Sequence, residues 1–262
     1  MRAWQARHYQ PSPDWRRDGL AWAATAAFAQ RVDRSRAILR EAARHGAVMV
    51  ATSWGKDSTV TADLALDVLG PVPLVHLAST YELPGYDEVI AHFAARTEVV
   101  TLAPTRTLAE TVAWLHANGL CYERGQYAAA KRGKADRMAE WCAARGYRVQ
   151  VLGLRGEESA GRRVTIRAHG LVRTRRDGYV TAIPIAHWTA RDVWAYIAVR
   201  ALPYNRLIYD AETHGFSRYT LRNTGWLTTV GAEDGRLVWL RTHHPALWQQ
   251  LALEFPRVRA VS

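Results

Sequence analysis

Cysteine is nearly absent from this chain. It has two, Cys121 and Cys142, far apart and with no C-x-x-C. That excludes a four-cysteine zinc or iron–sulfur site built by this chain alone, and no disulfide framework is expected. A reducing cytoplasm is the compartment such usage implies. The opening stretch "MRAWQARHYQPSPDWRRDGL" contains no continuous apolar segment, so no signal peptide is expected. No uncharged apolar run reaches the roughly 18 residues that span a membrane, so a membrane is not among the expected partners. Acidic residues are the minority charge, 24 Asp and Glu against 35 Lys and Arg, giving a formal net charge of +11. That balance favours polyanionic partners such as nucleotides, nucleic acid or sulfate esters, unless it serves only solubility. The sequence shows no internal repeat and no low-complexity linker.

The 48% of hydrophobic residues among 262 suffice for a substantial core. Residues 1 to about 20, rich in Arg, Trp and Pro, read as an arm. "LAWAATAAFAQRVDRSRAILREAARHG" reads as one helix stopping near Gly46. The runs "AVMVAT", "PLVHLAS", "EVVTLA" and "RVQVLGLR" read as four strands. Helical segments separate them: "STVTADLALDVLG", "YDEVIAHFAART", "TLAETVAWLHANGL" and the basic "AAAKRGKADRMAEWCAARG". Strands alternating with helices predict a mostly parallel sheet covered on both faces. From residue 160 the chain reads as arginine-rich and less regular. "TARDVWAYIAVRA" is a further helix with Thr189 as its N-cap and Asp192 at its N-terminus. The expected division is an arm and helix over 1–45, an α/β nucleotide-binding domain over 46–203, and an extension over 204–262 with mixed turns, short strands and a final helix "PALWQQLALEF".

The stretch "ATSWGKDST" (51–59) places small and charged residues between the first strand and the next helix. A helix's first turn has unpaired N–H groups and a partial positive charge, so this geometry suits an anion. Gly55 permits close backbone approach, Ser53 and Ser58 bring hydroxyls, and Lys56 brings a charge. Asp57 would repel phosphate unless it holds a bridging Mg²⁺. The pattern is not the Walker G-x-x-x-x-G-K-[ST]. At the end of the fourth strand stand Gly153 and Arg155, where ligands of open α/β sheets collect. Arg155 reads as an anion clamp or as a salt-bridge partner of Glu157 or Glu158. Arg162, Arg163 and Arg167 form a second basic cluster. Lys131 and Lys134 share helical spacing, and Lys131 is either a phosphate ligand or an exposed helix lysine. His76, Trp188, Trp194 and Tyr196 read as core residues; Cys121 and Cys142 read as inert. His243 and His244 show no metal-ligand spacing.

The segment Ser53–Ser58 resembles the PP-loop S-G-G-x-D-S of the adenine nucleotide alpha-hydrolase superfamily, with Trp54 in place of the first glycine. "VHLASTYELPGYDEVI", with Thr80, Glu82 and Pro84, is similar to the second-strand signature of the 3′-phosphoadenylyl-sulfate (PAPS) reductase family. "VLGLRGEESAGRR" resembles that family's G-x-R-x-x-E-S-x-x-R segment, and "AIPIAHWTARDVWAYIAVRALPYNRLIYD" resembles its P-I-x-x-W-[ST]-x-x-D-V-W block. The resemblance spans roughly residues 46 to 215. It implies a Rossmann-like (HUP-type) α/β domain that binds an adenine nucleotide through Ser53, Trp54, Gly55, Lys56, Asp57, Ser58, Thr80, Glu82, Lys131, Gly153, Arg155, Glu158, Arg162 and Arg163. Lys56, Asp57 and Arg155 would be catalytic and Asp57 the metal ligand. The chain departs from the family in its tail, which has no E-C-G-x-H-like stretch; "RNTGWLTTV" carries Trp226 where relatives place a glycine-cysteine turn.

Three functions follow as expectations. The first is ATP with Mg²⁺ as the cofactor pair, adenylyl transfer to an acceptor, pyrophosphate release and no iron–sulfur cluster. The second is reduction of PAPS or adenylyl sulfate with Cys142 or Cys121 as nucleophile. The third is a nucleotide-dependent protein that docks on nucleic acid through its arm and Arg218, Arg222 and Arg241, or works with a partner subunit.

Overall fold

The apolar run at 48–52 becomes strand β1 (Val48–Thr52), buried on both faces. Val48 and Val50 face a cluster containing Leu39, Leu64, Leu74 and Val151, while Met49 faces a second one with Val75, Met138, Trp141 and Cys142. A strand covered on both sides needs a continuous apolar run rather than alternation, and the sequence supplies one. The computed structural model of the chain describes residues 14–79, 82–104, 107, 110, 113, 117, 136–210, 217–223 and 236–260. Strands β2 (Leu74–Leu77), β3 (Val99–Leu102) and β4 (Val149–Leu152) join β1 in parallel. Two short strands that the sequence reading did not anticipate, β5 (Val172–Thr174) and β6 (Val180–Ala182), complete a six-stranded sheet ordered β3-β2-β1-β4-β6-β5. β6 is parallel to β4, and β5 is antiparallel to β6.

The single N-terminal helix expected from the sequence is two helices, α1 (Trp15–Ala23) and α2 (Ala26–Ala43). Thr25 breaks them: its extended backbone and its hydroxyl, accepting from the Phe28 N–H at 3.3 Å, start a new helix. The end of the expected arm is therefore helical and packed. Trp15 is buried edge-on against Trp194 and Tyr204 at 5.0 and 5.7 Å between ring centroids. A Cβ on Gly19 would lie 3.3 Å from Ala195 Cα, so a side chain there would push α1 a few tenths of an ångström away from the helix that carries Ala195. Further helices are α3 (Lys56–Leu69), α4 (Asp87–Ala94), α5 (136–144), α6 (Ala160–His169), α7 (Ala190–Val199), α8 (Arg206–Tyr209), α9 (Arg236–His243) and α10 (Pro245–Glu254). α6 replaces the irregular region expected from 160. The described tail residues form helices and turns, with no strand among them. Most of "TLAETVAWLHANGL" and the first half of the basic helix lie outside the described residues.

Thr189 caps α7, as expected, its hydroxyl accepting from the Asp192 N–H at 3.3 Å, and Asp192 completes a reciprocal box by accepting from the Thr189 N–H at 2.6 Å. The buried Asp192 carboxylate also takes the Trp22 indole N–H at 2.8 Å. Trp188, Trp194, Tyr196 and His76 are buried, as core residues should be. No described helix is long and apolar enough to cross a membrane.

α3 is anchored by Asp63, 1% exposed, which accepts from Arg96 at 2.6 Å, Arg200 at 3.0 Å and the Tyr196 hydroxyl at 3.0 Å. Burial opposes its ionisation, but the two arginines outweigh that and hold the carboxyl below its usual range. Asp63→Ala should destabilise the fold by about 2–4 kcal/mol, less than a wholly buried pair costs because both arginines are partly exposed. A pKa lower in the folded state means the contribution is complete above about pH 4 and is lost as pH falls through the folded value. Thermal melts of Asp63→Asn from pH 7 to pH 3 should therefore show a flatter acid limb than the parent.

Candidate active site in the sheet crevice

The order of the sheet reverses direction between β1 and β4. In open α/β sheets, ligands gather outside the carboxyl ends of the strands at such a point. Three segments meet there: the loop 53–57 with the first turn of α3, the segment 153–159 after β4, and residues 217–223 from the C-terminal part. The Asp57 carboxylate links the first two, accepting from Arg155 Nε at 2.6 Å. Arg155 is 3% exposed and also donates through Nη1 to Glu157, whose carboxylate takes the N–H of Ala190, the first residue of α7, at 2.7 Å. So both readings of Arg155 meet at this point: it stands at the crevice, and it is already engaged in salt bridges.

Lys56 is buried, with Nζ donating to the Leu221 carbonyl at 3.0 Å and lying 3.4 Å from Asp57 Oδ2. Burial pushes its pKa down to about 8; Asp57 opposes that, and Arg155 and Arg222 add to it. For Asp57 burial acts upward, but Arg155 and Lys56 prevail and hold the carboxyl at about 2. The site thus keeps a full carboxylate and a proton on Lys56 that is readily lost. The Lys56 N–H, at the start of α3, donates to the Tyr209 hydroxyl at 3.3 Å. Ser58 Oγ donates to the Gly55 carbonyl at 3.0 Å and accepts from the Ser53 N–H at 3.2 Å, which closes the loop on itself.

Trp54 adopts φ +58°, the left-handed region that suits glycine. Its indole, 1% exposed, lies between His76 and Phe93, with ring centroids at 5.8 and 6.3 Å. Burial of this side chain offsets a backbone cost of about 1 kcal/mol. His76 Nδ1 faces the Thr52 carbonyl at 3.0 Å, an acceptor only, so it carries a proton; Nε2 meets Glu82 Oε1 at 2.7 Å. Two protonated ring nitrogens, or a protonated Glu82, satisfy both contacts. Glu82, expected on the nucleotide, is thus tied to His76 and to the Ser79 N–H at 2.8 Å.

Other expectations shift as well. Glu158 accepts from the Arg155 N–H at 3.2 Å and pairs with Arg162 and Arg222, so Arg162 is not a free cation. Arg163 is exposed and reaches the Gly156 carbonyl at 3.4 Å. Arg218 is buried over Trp15 and Trp194, whereas Arg241 is exposed and stacks over Trp248. Cys142 lies on the far side of the sheet from α3, in the Met49 cluster, its thiol pushed up to about 11 by burial. Thr80, Lys131, Lys134, Cys121 and Trp226 fall outside the described residues. Among the described residues, no three His, Cys, Asp or Glu side chains group as a metal site, and Asp57 already faces two cations. Sequence reasoning assigned no site role to Tyr209, Leu221, Glu157 or Asn223. Asn223 donates to the Ser53 carbonyl, and its side chain sits where a Cβ on Gly55 would point, 2.7 Å from Oδ1.

A buried, charged crevice at the reversal point of a mostly parallel α/β sheet defines a class of small-anion or nucleotide sites. Within that class the chain belongs to the family of the phosphoadenosine phosphosulfate reductase domain, whose model matches residues 47–234. The Phosphoadenosine 5′-phosphosulfate reductase of Xanthomonas campestris pv. campestris (strain B100) is 31% identical over 210 residues, 76% of this chain and 82% of the relative. The protein of the same name from Gloeobacter violaceus is 29% identical over 178 residues, 65% and 70% of the two chains. The crystal structure of phosphoadenylyl-sulfate (PAPS) reductase from Candida auris, a phosphate complex, is similar with a TM-score of 0.49 at 17% identity, over 76% of this chain and 92% of that one.

Gly153 is the residue on which the crevice closes. A Cβ there would meet the Asp57 carbonyl oxygen at 2.9 Å and Ser58 Cα at 3.0 Å, both backbone atoms. Gly153→Ala should push α3 from β4, cost about 1–3 kcal/mol as overpacking does, and loosen the Asp57–Arg155 contact. A denaturant titration reads the stability cost.

Proposed function

We propose that the crevice binds the phosphoryl end of an adenine nucleotide, and that the chain is an ATP-cleaving enzyme that releases pyrophosphate. The observation that carries this reading is the arrangement of Lys56, Asp57 and Arg155 at the amino end of α3, on the opposite side of the sheet from the buried Cys142. Such chemistry works by positioning and charge and requires no thiol. An acceptor oxygen attacks the α-phosphorus, the bond to the bridging oxygen breaks, and pyrophosphate leaves with its electrons. Ser53, Gly55, Lys56 and Ser58 would cradle the leaving group, and Arg155 would offset charge on the equatorial oxygens. Lys56 would exchange the Leu221 carbonyl for a phosphate oxygen, the better acceptor because it is charged. Mg²⁺ would arrive bound to the nucleotide and use Asp57 as its protein ligand.

A second reading, reduction of a sulfonucleotide, is favoured by the names of the relatives, which act on a phosphoadenosine phosphosulfate. It needs a reactive thiolate near the crevice. The inert environment of Cys142 argues against that residue, which leaves Cys121.

The two readings separate in one assay set: pyrophosphate release from ATP with Mg²⁺, and sulfite release from PAPS with a thiol reductant. We expect pyrophosphate release to fall about 10²–10³-fold in Lys56→Ala and Asp57→Ala and to survive in the Cys121→Ser/Cys142→Ser double variant. Sulfite release that disappears in Cys121→Ser, with ATP left intact, would sink the first reading in favour of the second. Pyrophosphate affinity should also weaken as pH rises through about 8, where Lys56 loses its proton, and Lys56→Met should show no such step in calorimetry.

A further inference from the structure

The stretch 160–176 carries six arginines and one histidine, with no acidic residue. α6 turns only Ile166 into the core, where it packs on Ile183 and Ala186. Ile183 and Ala186 follow the carboxyl end of β6, so the contact sets the helix at the end of the sheet where the crevice lies. Arg163 and Arg167, four residues apart, share its outer face, and Val164 on that exposed side is 65% accessible. β5 continues the basic stretch along an edge of the sheet with Arg173, and the following turn adds Arg175 and Arg176. Arg162 and Arg175 have carboxylate partners, Glu158 and Asp177. Among the described residues no ion pair engages Arg163, Arg167, Arg173 or Arg176.

We propose that the outer face of α6 and the adjoining β5 edge dock a nucleic acid through its phosphodiester backbone. Guanidinium groups that no carboxylate pairs match a polymer that carries one negative charge per about 1.7 Å of duplex. The stretch 160–176 has no aromatic residue to stack on a base and no Asn or Gln to read one. The contact is therefore to the backbone and indifferent to base sequence. Of the cations expected from the sequence to do this, Arg218 is buried and Arg222 is a partner of Glu158, while Arg241 is exposed over Trp248. The docking face begins where Arg163 reaches Gly156, the neighbour of Arg155, so a bound strand would pass the mouth of the crevice. The proposal does not depend on which nucleotide the crevice takes.

The test is fluorescence anisotropy of the full chain with a labelled mixed-sequence DNA duplex and a labelled single-stranded RNA across a salt series. Arg163→Glu/Arg167→Glu is compared with Arg40→Glu/Arg44→Glu. The control makes the same charge change near the end of α2, five residues before β1 begins, at the amino ends of the strands. The expected result is salt-dependent binding by the parent, weakened about tenfold or more by the first pair, with the log–log salt slope smaller by about 2, and changed less than about twofold by the second. The two probes distinguish DNA from RNA as the source of the backbone. Failure of the parent to bind either probe at low salt, or equal weakening by both pairs, would overturn the proposal; the second outcome would assign binding to bulk charge. Thermal melts check folding, and Arg163→Gln/Arg167→Gln replaces the reversal if α6 does not tolerate it.

Discussion

The contact between Asp57 and Arg155 joins the two halves of this molecule's sheet at the point where its order reverses. One partner opens α3 after β1; the other follows β4. Buried ion pairs of this kind add little net stability, because desolvation consumes most of the attraction, but a broken one is costly. Their value lies in registration. Arg155 fixes where α3 begins relative to the end of β4, and through Glu157 it fixes the start of α7 as well. Gly153 makes the approach sterically possible, and Asp63 holds α3 from its other flank. The family relationship and the crevice are therefore two views of one constraint: loops distant in sequence must converge on one carboxylate.

The parallel centre of the fold was legible because burial on both faces favours mostly apolar runs; β1 has an unbroken one over 48–51, and β2, β3 and β4 each carry a single polar residue, His76, Thr101 and Gln150. Thr189 and Asp192 were legible because reciprocal capping leaves a four-residue pattern. The edge was not. β5 and β6 are three residues each, too short for periodicity to speak, although Asp177-Gly178 marks a hairpin turn between them. α6 was missed because it buries a single side chain, so no apolar stripe forms. The break between α1 and α2 was hidden by alanines that favour helix on both sides of Thr25.

In the crevice, short-range features were readable and long-range ones were not. Lys56, Asp57 and Arg155 stand where strand ends and helix starts put them. The occupation of Lys56 by Leu221 and the placement of Asn223 beside Gly55 link residues more than 160 positions apart, and no local pattern encodes such contacts. The opposite error occurred with charge. Arg218 and Arg222 looked like surface cations in a basic chain, yet the first is enclosed by indole rings and the second pairs with Glu158, since composition does not reveal which arginines have found partners.

Trp54 gives the loop 53–57 an unusual mechanical character. A glycine at that position would let the turn sample many shapes and leave a ligand to select one. An enclosed indole wedged toward Phe93 of α4 instead clamps the turn to a neighbouring helix, so its geometry is set before anything arrives. Disturbances in α4 are then transmitted to the loop by rigid contact, and selectivity there becomes a matter of whole-domain packing as much as of the side chains that meet the ligand.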